Sequence, residues 1–508
     1  MKKGLLLLMA VFMAFFGVSA KVMADVRSEA LNANPQMIDD MDLIFLYPNL
    51  ANDFKNVFDI RTNSLSSANV WGGLLDGEHS DLGVIGAYVN RPVGYDGGRA
   101  WYFNGPGWNG VGSGWAGNSW DLFSANYTGT INAPGHFTAP TPENKVDVFW
   151  ASNLDNKTNF GVQVNYADNQ PNGGDVYNNQ NTNSTDNSAT AVNSSTSQAD
   201  DARVLGINLG LGMQDFGPFN TANIHLGYYL GSLDMEDKNT PRAAGTGVYD
   251  SSLKDGGIYT ATLGALLKHN LDENSDMRVF ANAYLDQNNQ KEVQTFDSTG
   301  DGLHNNAADW DERYNGNYND ILLDLGAGCH HKVLDGKAVI SSGLEAVWAN
   351  SDSKLSGTSQ NGNTATVTYI PQNAGAAGWD EQTLDEWSVQ WNANVEAKAS
   401  DWLTIRAGIN RPVVDRLTTV NTINTYNADG SVKSTVKNTS VADNYFGGNN
   451  FTYSTGFGIN WENWELDGVV RTASLFNSIN NVSPGNGIFF TNGNGIVTVY
   501  DADLRFRF

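Results

Sequence analysis

The chain has 508 residues and a formal net charge of -25, from 55 acidic and 30 basic side chains, so it would repel nucleic acid and polyanion binding is excluded. A single cysteine, Cys329, rules out an intramolecular disulfide. Beyond the first two dozen residues no segment approaches the ~18 consecutive apolar residues of a membrane helix, which excludes an α-helical membrane protein.

Residues 1–24 read as a signal peptide. Lys2 and Lys3 precede the apolar run LLLLMAVFMAFF, and small residues ending at Ala20 or Ala24 offer the cleavage site. Residues 25–80 are less regular. LIFLYP and NVFDIR form either an extra hairpin or part of a segment folded into the interior of whatever follows, with a plug the favoured of the two. The stretch GYDGGRAWYFNGPGWNGVGSGWAGNSWDLF then separates Trp101, Trp108, Trp115 and Trp120 by glycines. It reads as a loop that narrows a channel, a surface that stacks on sugar rings, or aromatics at a membrane interface.

From residue 81 onward the dominant signal has period two. In TNFGVQVNY, Phe160, Val162, Val164 and Tyr166 share one face and Asn159, Gly161, Gln163 and Asn165 the other. In EWSVQWNANVEAK, Trp387, Val389, Trp391, Ala393, Val395 and Ala397 oppose a wholly polar set. Such alternation specifies strand, not helix. It places strands near 81–91, 144–152, 158–167, 202–212, 221–233, 257–268, 276–288, 320–331, 337–350, 384–398, 402–413, 450–461, 464–476 and 496–508. That makes about fourteen (14–16 with an N-terminal hairpin), each near the ~9–11 residues that cross a bilayer at a tilt. Their connections alternate between tight turns, such as Asp335-Gly336 and Glu462-Asn463, and long polar links. The expected fold is therefore all-β: a transmembrane antiparallel β-barrel over residues 81–508, with long extracellular loops and short periplasmic turns. Cys329, His330 and His331 are consecutive on a strand, so they alternate in direction and cannot converge on one metal.

If the barrel is open, the polar faces line its lumen. They carry Arg278, Asp324, Glu345, Glu386, Glu396, Arg406, Asp467, Arg471, Asp501, Asp503, Arg505 and Arg507, with Asp147, Lys268 and Lys398 among further charges. Such side chains either tune the selectivity of a water-filled pore or pair across strands and close the interior. No phosphate loop, nucleophile elbow or zinc-protease motif occurs, so neither an enzyme nor a cofactor is expected.

The chain ends IVTVYDADLRFRF, with Tyr500, Leu504, Phe506 and Phe508 on the apolar side. With the alternating strands and the loop rhythm, this resembles Gram-negative outer-membrane β-barrel proteins of the porin type. In that family a terminal Phe and the alternating hydrophobics before it belong to the signal read by the barrel-assembly machinery, and Phe508 matches the terminal position. The resemblance implies an outer-membrane location, contact with lipid and lipopolysaccharide, and passive diffusion of small polar solutes or ions. The strand count is also similar to that of the long-chain fatty-acid transporter family, although LNANPQMIDDM is only a faint echo of its N-terminal signature. That likeness implies a plugged transporter of hydrophobic or specific solutes, and a barrel acting as an adhesive scaffold through its loops is a third reading. Assembly as a homo-oligomer stays open, because no lipid-facing stretch is polar enough to mark a protomer contact.

Overall fold

The computed structural model describes residues 26–63, 70–76, 83–90, 146–169, 194–241, 248–298, 309–361, 367–370, 381–427, 431–445, 452–474 and 501–508. Its strands are β1 (Val57–Asn63), β2 (Val70–Asp76), β3 (Val84–Val89), β4 (Val146–Asn153), β5 (Thr158–Asn169), β6 (Ser194–Phe216), β7 (Phe219–Pro241), β8 (Val248–Asn270) and β9 (Ser275–Asp297). There follow β10 (Trp310–Val333), β11 (Ala338–Asn361), β12 (Val367–Ile370), β13 (Glu381–Lys398), β14 (Leu403–Tyr426), β15 (Val432–Tyr445), β16 (Thr452–Trp461), β17 (Trp464–Ser474) and β18 (Asp501–Arg507). All pair antiparallel in one sheet that closes where β1 meets β18, with Val57 opposite Arg507 and Asn63 opposite Asp501. Closure removes the unpaired edges of the wall, which is what lets a sheet cross lipid.

The wall has sixteen strands, not fourteen. β12 and β15 are hairpin arms folded onto β11 and β14, because β11 pairs onward with β13 and β14 with β16. The two additional wall strands are β1 and β2. NVFDIR does enter the sheet, but its hairpin partner is VWGGLLD and not LIFLYP. Several strands also run far past the expected ends, β6 through β9 to 23 residues and β10, β11 and β14 to 24. Backbone pairing continues there although both faces have become polar, so the amphipathic alternation stops at the edge of the lipid while the strand does not.

The two faces are sharply different. Leu205, Ile207, Leu226, Leu230, Leu263, Leu285, Leu325, Leu344 and Ile405 are exposed on the outside, a band that only lipid can cover. Trp464 packs on Phe506 (4.5 Å between ring centres) and Phe506 lies 6.0 Å from Phe508, beside the tight turn at Glu462-Asn463. With exposed Trp402 they form an aromatic girdle at the short-turn end. Leu504 lies in β18, and Tyr500 falls outside the described residues. The Leu334-Asp335-Gly336 turn shows why these connections can be so tight: all three residues have positive φ (55°, 55° and 79°). Such turns match the twist of the strands that they join.

Candidate functional site

The lumen is not empty. Residues 26–54 leave the wall and cross the barrel interior as a six-residue helix, α1 (Val26–Leu31), and three short 3-10 turns at Pro35–Met37, Met41–Phe45 and Pro48–Asn52. The local sequence dictates this broken course. Asn34 and Asp40 cap the first two turns by accepting from the backbone N–H of Gln36 (2.9 Å) and Asp42 (3.1 Å), while Pro35 and Pro48 open the first and third. Each element is too short to hold itself, so the segment's conformation depends on what the wall offers.

The wall offers two kinds of contact. The first is apolar. Met41, Ile44, Phe45 and Ala51 pack on Val57, Val70, Leu74, Val84, Tyr88, Phe149 and Ala151 of β1–β4. Met37, Leu43, Leu46 and Tyr47 pack on Leu266 and Phe280. The second is polar and reaches opposite sides of the barrel. Asn49 Nδ2 donates to Asn159 Oδ1 (3.1 Å) and Asn223 Oδ1 (2.8 Å), and Asn208 Nδ2 donates to the carbonyls of Phe45 (3.0 Å) and Leu46 (2.9 Å). Across the lumen, Asn34 donates to Glu345 (3.0 Å), His330 meets the Met37 carbonyl, and Arg27 pairs with Glu396 (2.9 Å). Glycines on the lumen face leave room for these approaches. A Cβ at Gly161 would strike the backbone of Pro48 and Asn49, one at Gly408 the Leu31 carbonyl, and one at Gly456 the Ala30 side chain.

The charges expected to line a pore divide into three groups. Glu396, Arg406, Asp467, Asp503 and Arg505 form a belt across β13, β14, β17 and β18 that continues through Asp59 and Arg61 of β1. Arg406 joins Glu396 (2.6 Å) to Asp467, Arg505 reaches Asp467 (3.5 Å) and Asp503, and Arg61 binds Asp59 (2.8 Å) and the plug's Asp42. These side chains pair across strands and close this wall instead of lining open water. Asp324, Glu345 and Glu386 belong to a second group on β10, β11 and β13, where Glu292, Glu312 and Asp320 also face inward and are buried. Above Arg278 no buried lysine or arginine accompanies them among the described residues of β9–β13. The third group is basic and lies at the short-turn end. Arg278 binds Asp39 of the plug (2.6 Å) and Asp276 (3.2 Å), and Lys268 lies 3.4 Å from Asp39. Of the remainder, Arg507 is exposed and 3.5 Å from Glu465. Arg471 sits in β17 beyond a register shift, opposite Thr455, and Asp501 opposite Val469, with both side chains outside the described residues. Trp101, Trp108, Trp115 and Trp120 also lie outside them.

Enclosure within the barrel works against charge on Asp39, although its side chain is 67% exposed, but Arg278 and then Lys268 outweigh it and hold its carboxyl at about 2, against an ordinary 3.8. The folded-state value lies below the unfolded one, so the clamp on the plug is fully present above about pH 4 and is lost as pH falls through about 2. Limited proteolysis of the N-terminal segment is therefore expected to be unchanged from neutral pH down to about 4 and to accelerate progressively below that, most steeply near 2.

The geometry defines a class: a transmembrane β-barrel of the outer-membrane kind, closed at sixteen strands and occupied by its own N-terminal segment. Comparison with known proteins adds no family name. No family model and no curated protein matches the sequence. Among solved structures, the toluene transporter TodX of Pseudomonas putida is similar at 10% identity and a TM-score of 0.34, covering 96% of both chains. A Pseudomonas aeruginosa FadL homologue is similar at 11% and 0.32, covering 97% of this chain and all of the other. The siderophore receptor PiuA of Acinetobacter baumannii matches at 12% and 0.32, over 72% of this chain and 52% of its own. At these values the functional argument rests on the residues of this chain.

Proposed function

We propose that the protein is a plugged outer-membrane transporter for a restricted class of solutes and not a freely open diffusion channel. One observation carries this reading: residues 26–54 bridge the lumen from β5–β7 on one side to β13–β17 on the other, with apolar packing between. Sixteen strands enclose more space than wall side chains fill, so a barrel with nothing inside would leak. Here the segment occupies that space, and solute passage requires it to shift.

The lumen above the plug suggests what passes. Glu292, Glu312, Asp320 and Glu386 make the β9–β13 wall acidic, and a low-dielectric enclosure focuses that field, so cationic and neutral polar solutes are favoured over anions. A second reading, a hydrophobic solute, draws on the cluster of Tyr284, Leu322, Val347 and Ala349 on the same wall.

Planar-bilayer recording tests the proposal. The full-length barrel is expected to show no sustained conductance, and a chain lacking residues 26–54 to show stable cation-selective steps. Both proteins are first checked for the mobility shift on heating that marks a folded barrel. Stable large conductance of the full-length protein would overturn the plug. Saturable uptake of an apolar solute, blocked by Leu322→Glu, would favour the second reading.

A further inference from the structure

Beneath the plug, at the short-turn end, lies a cavity of about 650 Å³, within the range of small-molecule sites. Leu43, Leu50, Met213 and Leu266 supply an apolar side, and Arg278, Lys268 and the turn residue Lys157 supply the positive charge. Lys157 already pairs with Asp215 (2.8 Å). Arg278 and Lys268 are different. On the wall they share one carboxylate, Asp276, at 3.2 and 4.0 Å. Two cations against one anion leave the wall with one uncompensated positive charge. Among the described residues only Asp39 also pairs with them, and Asp39 belongs to the plug; Asp53 of the plug and Asp155 of the turn line the cavity without pairing with either.

The two sides of this contact differ in how firmly they are held. The Arg278 side chain is 3% exposed and fixed in β9. That of Asp39 is 67% exposed and hangs from the link between two short 3-10 turns. The carboxylate can leave, whereas the guanidinium cannot. Without Asp39, Arg278 must share Asp276 with Lys268, so departure of Asp39 favours a replacement of the same charge and geometry.

We propose that this periplasm-facing cavity is a binding site for a small organic monoanion, a carboxylate with a compact apolar body, which occupies the Arg278–Lys268 seat in place of Asp39 and so frees the plug on that side. The ligand reaches the seat from the periplasm. It is distinct from the transported solute, because the acidic wall above the plug repels anions. The apolar body lies against Leu43, Leu50 and Leu266, and its carboxylate takes the two hydrogen bonds that Asp39 now receives. Asp53, which burial and then Asp39 push up from its ordinary value, faces the same cavity and leaves room for an uncharged acid beside the seat.

Isothermal titration of the refolded full-length barrel with benzoate, and with benzamide as its uncharged counterpart, tests the site. Benzoate is expected to bind saturably at one site and benzamide not at all. Asp39→Ala removes the tethered competitor and should tighten benzoate by about tenfold or more, since apparent affinity scales with the fraction of seats that are free. Lys268→Gln should weaken it, and Lys268→Arg should restore it. Equal binding of benzoate and benzamide, or no effect of Asp39→Ala, would sink the site. Bilayer recording of the same full-length protein is the second arm, because deleting residues 26–54 would remove Leu43 and Leu50 from the site. If benzoate binds as expected but the full-length barrel conducts freely, the site stands and the plugged-transporter reading fails. If the barrel is silent but Asp39→Ala leaves benzoate binding unchanged, the site alone fails.

Discussion

Substituting Gly408 by valine is expected to drive α1 from its seat and give a conducting barrel without any truncation. Gly408 faces the lumen from β14, registered against Asn394 of β13 and Ser454 of β16. A Cβ added there would fall on the Leu31 backbone carbonyl, with the Asn32 amide also close. The obstacle is backbone, so no rotamer change relieves it. Overpacking of this kind costs about 1–3 kcal/mol even where some adjustment is allowed, and a six-residue helix has little stability of its own to spend against it. The strand itself does not suffer, because valine suits an extended backbone better than glycine does. The effect therefore falls on the plug and spares the barrel. Single-channel recording should show stepwise openings, and a cysteine placed in α1 should become reactive to a membrane-impermeant thiol reagent after Cys329 has been replaced by serine. Gly328→Ala is the control. It also faces the lumen near Met37, but its Cβ would meet nothing nearer than 3.4 Å, so conductance should stay at the parental level. A silent Gly408→Val barrel with α1 still protected would mean that the helix is not seated where the structure has it.

The same glycine shows what the sequence reveals and what it hides. Period-two polarity found fourteen of the sixteen wall strands, because lipid on one side and polar groups on the other write opposite characters on alternate residues. β2 escaped for a physical reason. Val70 and Leu74 point inward onto the plug while Trp71 and Leu75 point outward to lipid, so both faces of VWGGLLD are apolar and the contrast vanishes. β1 fails in another way: Asp59 and Arg61 do oppose Phe58 and Ile60, but seven residues are too few to stand out beside the irregular segment before them. The plug's presence was one of two open readings, and its contacts were not legible. Asn49 meets Asn159 and Asn223 at sequence separations of 110 and 174 residues, which no local pattern encodes. A weaker signal was available. Gly161, Gly408 and Gly456 occupy the inward face of otherwise regular strands, where glycine weakens the sheet and is explained by a close approach of something else. The charge pattern misled in a complementary way. Parity puts Glu396, Arg406, Asp467, Asp503 and Arg505 on the polar face, but it carries no information about whether water or another charge stands opposite.

The belt that these residues form leads to the largest expected loss of stability. Arg406→Leu should destabilise the barrel by about 3 kcal/mol, the lower end of what breaking a buried ion pair costs. The Arg406 side chain is 4% exposed and joins Glu396 (2.6 Å) to Asp467, itself 1% exposed. Removing the guanidinium strands the buried Asp467 and the partly exposed Glu396. The loss stays at the lower end because each keeps a second arginine: Arg27 at 2.9 Å from Glu396, and Arg505 at 3.5 Å from Asp467. Arg406→Lys should recover only part of the loss, since a single ammonium cannot serve two carboxylates and the Phe457 carbonyl that Arg406 also donates to. Arg406→Leu combined with Asp467→Leu should be less destabilised than the sum of the single changes, because the second change removes the anion that the first one strands. Reversible denaturant unfolding in lipid vesicles, followed by tryptophan fluorescence, measures all three. Lys157→Ala in the exposed turn pair with Asp215 provides the baseline and should leave the midpoint unmoved. Were Arg406→Leu equally harmless, the belt would be neutral filler, and closure of the β14–β18 and β1 wall would rest on backbone pairing alone. A loss near the expected size would instead make the belt a second lock on the plug. Its outer members, Glu396 and Arg61, hold Arg27 and Asp42 of the N-terminal segment, so the charges that stiffen this wall also anchor what blocks the lumen.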